Sequence, residues 1–207
     1  MIKDHPIFLE SISFIKSQLK ENNFNYFETK ILERLIHTSG DFHIQELLKF
    51  SENVCERAIE AIKSNAPILT DTDMAAAAIK TMVRETYNND VFSARDWVDD
   101  NFEYSNTKTA YGIEKAWYDI SNKYSGKSSP IVVFGSSPTA LERLLDILDK
   151  SENKPSLIVG MPVGFIGVEN SKKRLMESQF PYIILGSTRG GAAMAGATIN
   201  ALLRESI

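Results

Sequence analysis

Apolar residues in the first third of the chain recur at helical spacing. In "PIFLESISFIKSQLK" (6–20), Phe8, Ile12, Phe14, Ile15 and Leu19 fall near one face. Pro6 stands at the start, where the N–H it lacks has no helical partner to lose. A second helix is predicted over 26–37 from Ile31, Leu32, Leu35 and Ile36, with Gly40 as its stop. A third follows Ser51, carried by Val54, Ala58, Ile59 and Ile62.

From residue 67 the rhythm changes. "PILT" (67–70), "PIVVF" (130–134), "SLIVG" (156–160) and "PYIIL" (181–185) are short apolar runs, each emptying into small residues and then a helical pattern. Runs of four or five suit buried strands, and their alternation with helices predicts a parallel sheet. The predicted fold class is therefore α/β: a single domain over residues 1–207, with a mostly parallel β-sheet covered by helices on both faces. Segment 88–107 is the least legible and has room for one strand and a loop. Polar "SNKYSGKSS" (121–129) reads as a surface connection.

Composition narrows the partners rather than the fold. The 207 residues are 43 % hydrophobic and 24 % charged, with a net charge of -4. That balance is ordinary for a globular domain and gives no support to a nucleic-acid surface. Cys55 is the sole cysteine, so an internal disulfide and a cysteine metal cluster are excluded, and its apolar helical neighbours place it in the core. No run of eighteen apolar residues predicts a membrane span, and the amino terminus lacks an apolar signal core, so a cytoplasmic setting is expected.

Candidate chemistry concentrates at the strand exits, where open α/β sheets bind ligands. In "GSSPTA" (135–140), Ser136 or Ser137 can cap a helix that has Pro138 in its first turn, and the free N–H groups there suit an anion. The competing reading is a plain strand–helix turn. "GMPVGF" (160–165) leaves little side-chain volume, which fits either a bulky flat ligand or close backbone packing. Arg189, ahead of Gly190 and Gly191, stands at a helix start, where its charge adds to the positive end of the dipole unless an anion is near. Asp71 and Asp73 can hold magnesium or cap the next helix. Neither the phosphate-loop nor the dinucleotide glycine pattern is present, and His5, His37 and His43 have no metal-ligand spacing. His37 in "RLIHTSGDF" (34–42) either ends its helix or serves as a general acid, because histidine titrates near working pH; Thr38 and Ser39 can orient it.

Seven stretches in order carry a resemblance: "HP" (5–6), "RLIHTSGDF", "APILTDTDM" (66–74), "SNTKTA" (105–110), "GSSPTAL" (135–141), "GMPVGFIGVENSK" (160–172) and "GSTRGGAAMAGATINAL" (186–202). Together they resemble the precorrin-8X methylmutases, also called cobalt-precorrin-8 methylmutases. The resemblance implies an isomerase that moves a methyl group from C11 to C12 of an anionic tetrapyrrole, precorrin-8X or cobalt-precorrin-8, in cobalamin biosynthesis. It implies a homodimer with the substrate near the subunit interface and no cofactor; any cobalt belongs to the substrate.

On the same resemblance, His37 donates a proton to the macrocycle. The substrate-binding residues it implies are Thr38, Ser39, Asp71, Asn106, Lys108, Thr109, Ser136, Ser137, Thr139, Pro162, Val163, Gly164, Phe165, Lys172, Arg189, Gly190 and Gly191. The chain departs from the family pattern at Lys108, where arginine is usual, at Ser136 and Ser137, where asparagine and alanine are usual, and at Ala78, where glycine is frequent. Lysine keeps the charge at 108 but loses the planar fork that grips carboxylates. The alternative function is a non-catalytic corrinoid-binding relative of these enzymes.

Overall fold

The computed structural model describes residues 5–99, 102 and 106–207. Ser105, in one of the resembling stretches, and residues 100, 101, 103 and 104 of the illegible segment lie outside them.

The chain opens with α1 (Pro6–Gln18) and α2 (Tyr26–Ser39). The Asn25 side chain accepts the Glu28 N–H while the Glu28 carboxylate accepts the Asn25 N–H, a reciprocal cap that starts α2; Gly40, at φ 67, ends it. A short α3 (Ile44–Leu47) leads into β1 (Leu48–Phe50), neither of which the apolar periodicity predicted. Then come α4 (Val54–Lys63), β2 (Ile68–Thr70), α5 (Asp73–Glu85), β3 (Val91–Ser93) and a 3-10 turn at Ala94–Trp97. Cys55 is the second residue of α4 and is buried. The long helix α6 (Lys108–Lys123) runs into the stretch read as a surface connection: residues 121–123 are its last turn, and the loop begins only at Tyr124. The chain ends as β4 (Ile131–Phe134), α7 (Pro138–Leu148), β5 (Leu157–Gly160), α8 (Val168–Glu177), β6 (Tyr182–Leu185) and α9 (Ala192–Glu205).

The six strands form one sheet in the order β1-β6-β5-β4-β2-β3, with β1 antiparallel to β6 and every other pair parallel. Alternation divides the strand side chains between two cores. Ile68, Ile131, Val133, Leu157, Val159 and Ile183 meet the apolar faces of α2, α4, α5 and α9. Leu69, Val132, Phe134, Ile158 and Ile184 point the other way, onto α6, α7 and α8. Both faces are covered, which explains why these strands are continuous apolar runs. The chain winds from β2 to β3 on one side and then from β4 through β6 on the other. The direction of winding therefore reverses between β2 and β4, the place where open α/β sheets bind their ligands.

Candidate functional site

Asp71 follows directly on β2 and is fully enclosed. Its Oδ2 accepts the backbone N–H groups of Gly135, Ser136 and Ser137 at 3.1, 2.7 and 2.8 Å, while Oδ1 accepts the Thr72 hydroxyl at 3.2 Å. The carboxylate thus fastens the turn after β4 to the end of β2 at the point where the winding reverses. Burial pushes the Asp71 carboxyl above its usual range, and the surrounding donors pull the other way. The acidic pair of the sequence is divided: Asp71 holds the entrance to α7, and Asp73 is the exposed first residue of α5. Among the described residues no group of three His, Cys, Asp or Glu side chains is placed to hold a metal ion.

Hydroxyls gather where α6 and α7 begin. Thr107 caps α6 by accepting the Ala110 N–H, and Ser137 caps α7 by accepting the Ala140 N–H. Thr109 Oγ1 lies 2.7 Å from Ser137 Oγ, Thr139 Oγ1 lies 3.0 Å from it, and Thr107 Oγ1 lies 2.7 Å from Thr139 Oγ1. Two electropositive helix ends are thereby brought side by side. Asn106 Oδ1 accepts the Thr107 N–H at 2.8 Å, and the Lys108 ammonium stands 6.0 Å from the centre of the Phe102 ring.

Beyond this cluster the loops after β5 and β6 stack on each other. The Gly191 N–H donates to the Met161 carbonyl at 2.9 Å, and the Gly164 N–H donates to the Thr188 carbonyl at 3.1 Å. A Cβ at Gly190 would lie 2.1 Å from the Met161 carbonyl oxygen, so only glycine permits the contact. Pro162 is buried beneath, Val163 is exposed, and Phe165 and Ile166 stand 89 % and 90 % exposed on the outer side. Gly135 lies against the backbone of Ala192, which joins this pair of loops to the hydroxyl cluster.

Lys172 is 1 % exposed, and its Nζ donates to the carbonyls of Ser187 and Arg189 at 2.8 and 2.5 Å. Burial pulls its pKa down to about 8. Arg189 turns outward and pairs through Nη1 with Asp41 Oδ2, so the anion that its place at a helix start demands is partly supplied by the chain itself.

Asp41 connects this rim to His37. The other oxygen of Asp41 accepts the His43 N–H at 2.9 Å, and its neighbours Gly40 and Phe42 line an open cleft of about 500 Å³ with Ile7, Phe14, Ile36 and His37. His37 is exposed in the last turn of α2, the end of a helix that favours positive charge, with its ring edge-on to Phe8 at 5.0 Å. The Thr38 and Ser39 hydroxyls turn back to the carbonyls of Arg34 and Leu35 at 2.8 and 2.9 Å and finish the helix.

The strand-exit motifs therefore gather at the carboxyl ends of β2, β4, β5 and β6, and the Asp41–Arg189 pair links that end of the sheet to the helix end bearing His37. Thr38, Ser39 and Lys172 are engaged with the protein's own carbonyls instead. Sequence reasoning passed over Asp41, Thr107 and Phe8. Asp41 and Thr107 stand inside recognisable motifs, but their partners lie far away along the chain.

The precorrin-8X methylmutase family model matches residues 6–205. The cobalt-precorrin-8 methylmutase of Synechocystis is 30 % identical over 97 % of this chain and 95 % of its own length. The precorrin-8X methylmutase of Pseudomonas aeruginosa is 35 % identical over 85 % of this chain and 83 % of its own. The crystal structure of the precorrin-8X methylmutase from Thermus thermophilus superposes with a TM-score of 0.86 at 28 % identity, covering 97 % of this chain and 95 % of that one.

Proposed function

Because the chain belongs to the precorrin-8X methylmutase family, we propose that it is the isomerase that moves a methyl group from C11 to C12 of precorrin-8X or cobalt-precorrin-8. The product is hydrogenobyrinate or cobyrinate. The observation that carries this reading is the place of His37. It lines an apolar cleft, and the Asp41–Arg189 pair, whose Asp41 is four residues further along the chain, joins that cleft to an end of the sheet that gathers hydroxyls and cations. A flat ring with a carboxylate rim needs both kinds of surface.

In this reading His37 gives a proton to the macrocycle near the migrating methyl. The protonated ring draws electron density from C11, the C11–methyl bond breaks as the C12–methyl bond forms, and loss of a proton from the macrocycle returns it to its starting charge. No atom is gained or lost, so no co-reactant enters. A positioned acid contributes roughly 10²–10⁴-fold, and the pocket adds orientation by holding the rim. Arg189, Lys108 and the Thr109–Ser137–Thr139 hydroxyls are assigned to the carboxylates. The loop faces at Pro162–Phe165 and at Gly190 and Gly191 are assigned to the ring. The working form is assigned as a homodimer, because Ile7 and Phe14 on α1 leave an apolar face exposed beside the cleft, and its setting as the cytoplasm, in keeping with a family of biosynthetic enzymes.

The test is anaerobic absorbance with precorrin-8X and its cobalt form, wild type beside His37→Ala. Conversion to the hydrogenobyrinate or cobyrinate spectrum by wild type, slowed about 10²–10⁴-fold in the variant, is the expected result. Binding without conversion by wild type would leave a corrinoid-binding relative, and equal conversion by both would remove His37 from the chemistry.

A further inference from the structure

A lysine ammonium is almost never fully enclosed without partners, because the charge must give up water. Lys172 is enclosed, and what it obtains in exchange is a pair of carbonyls, Ser187 and Arg189, from alternate peptides of the loop after β6. The loop departs from easy backbone geometry there, with Ser187 at φ 60 and Gly190 and Gly191 also at positive φ. Apolar packing could fill the space but could not hold two carbonyls inward. Lys172 also rides on an anchored helix. Val168 and Leu175 of α8 are buried, and Arg174 grips Glu142, Asp146 and Asp149 of and beside α7 at 2.6, 2.8 and 3.1 Å. The only outward-reaching charge on the clamped segment is Arg189, 54 % exposed at its side chain.

We propose that Lys172 is a positioning residue that never touches substrate: its ammonium clamps the Ser187–Arg189 loop so that Arg189 is aimed, ready-ordered, at a carboxylate of the anionic ring. Asp41 occupies Arg189 until that carboxylate takes its place. The inference rests on the reading of Arg189 as a substrate ligand. Ordering the arginine in advance removes part of the entropy that binding would otherwise lose. The lowered pKa of the ammonium, set mainly by burial with Glu169 opposing, fits a group shut away from solvent and ligand.

The experiment is a double-mutant cycle on affinity for hydrogenobyrinate, read by absorbance titration, with KM and kcat of the conversion alongside. Lys172→Met and Arg189→Gln are each expected to weaken binding about tenfold, raising KM more than they lower kcat. The double variant is expected to bind within about twofold of Arg189→Gln alone, because interacting positions are not additive. Multiplying effects would overturn the proposal, since Lys172 would then act independently of Arg189. Weak binding by Arg189→Gln with normal binding by Lys172→Met would overturn it too, while leaving the assignment of Arg189 intact. Normal binding by Arg189→Gln would instead remove Arg189 from the substrate site. If Lys172→Met does not fold, Lys172→Gln, which keeps two N–H donors, takes its place in the cycle.

Discussion

A carboxylate enclosed in a protein interior is stable only when donors surround it. Asp71 meets that condition with three backbone N–H groups and one hydroxyl, and in doing so it supplies the partners that the β4–α7 turn would otherwise lack. Asp71→Ala strands those N–H groups, so a loss of roughly 2–4 kcal/mol is expected in urea denaturation. Asp71→Asn keeps an acceptor oxygen and should lose less. A cost below about 0.5 kcal/mol for the alanine variant, the size of an ordinary surface change, would mean that the turn does not depend on this carboxylate. Lys172 is the complement: a buried cation collecting carbonyls where Asp71, a buried anion, collects amides. Neither pairing is legible in the sequence, which shows that a charge sits beside a strand end or a glycine loop but not which distant backbone it faces.

At the scale of elements, the strand–helix alternation was legible because parallel strands buried on both faces are short apolar runs with few competing interpretations. The edge strand Leu48–Phe50 was not, since three residues offer no periodicity to read. Helix α6 was not predicted, although Ala110, Ile113, Ala116, Trp117 and Ile120 do repeat at helical spacing, and its last turn fell within the polar stretch read as a surface connection. The departure at Ala78 finds its explanation in packing. Helices α5 and α9 cross with Ala78 on Gly196, where a Cβ would lie only 2.6 Å from the Ala78 methyl. The room that a glycine on α5 could have provided is provided from α9. Gly196→Ala should gain about 1 kcal/mol of helix propensity but lose about 1–3 kcal/mol to overpacking. Ala78→Gly should therefore cost less in that background than in wild type. Equal cost in both backgrounds, measured by thermal unfolding, would show that the helices simply move apart.

At the scale of the whole molecule, the site occupies the carboxyl end of the sheet while α1 lays an apolar strip exposed beside it. Phe14 and Ile7 flank the cleft at His37, so a second copy seated there would both cover the strip and close the cleft. Wild type is expected to sediment as a dimer and Phe14→Glu as a folded monomer with impaired turnover. A wild-type monomer at micromolar concentration would dismiss the arrangement. The turn after β4, at that same end of the sheet, has a further consequence for life among metabolites. A turn of free amides at a helix start is the seat that phosphate groups use in many α/β proteins, and cells are rich in nucleotides and sugar phosphates. Here Asp71 already sits in it and turns a second negative charge away. Millimolar ATP or inorganic phosphate should accordingly leave turnover unchanged, and inhibition competitive with the tetrapyrrole would show the seat to be open. By filling its own phosphate cradle, the protein stays deaf to the most abundant anions around it and keeps the rest of its rim for a scarce one.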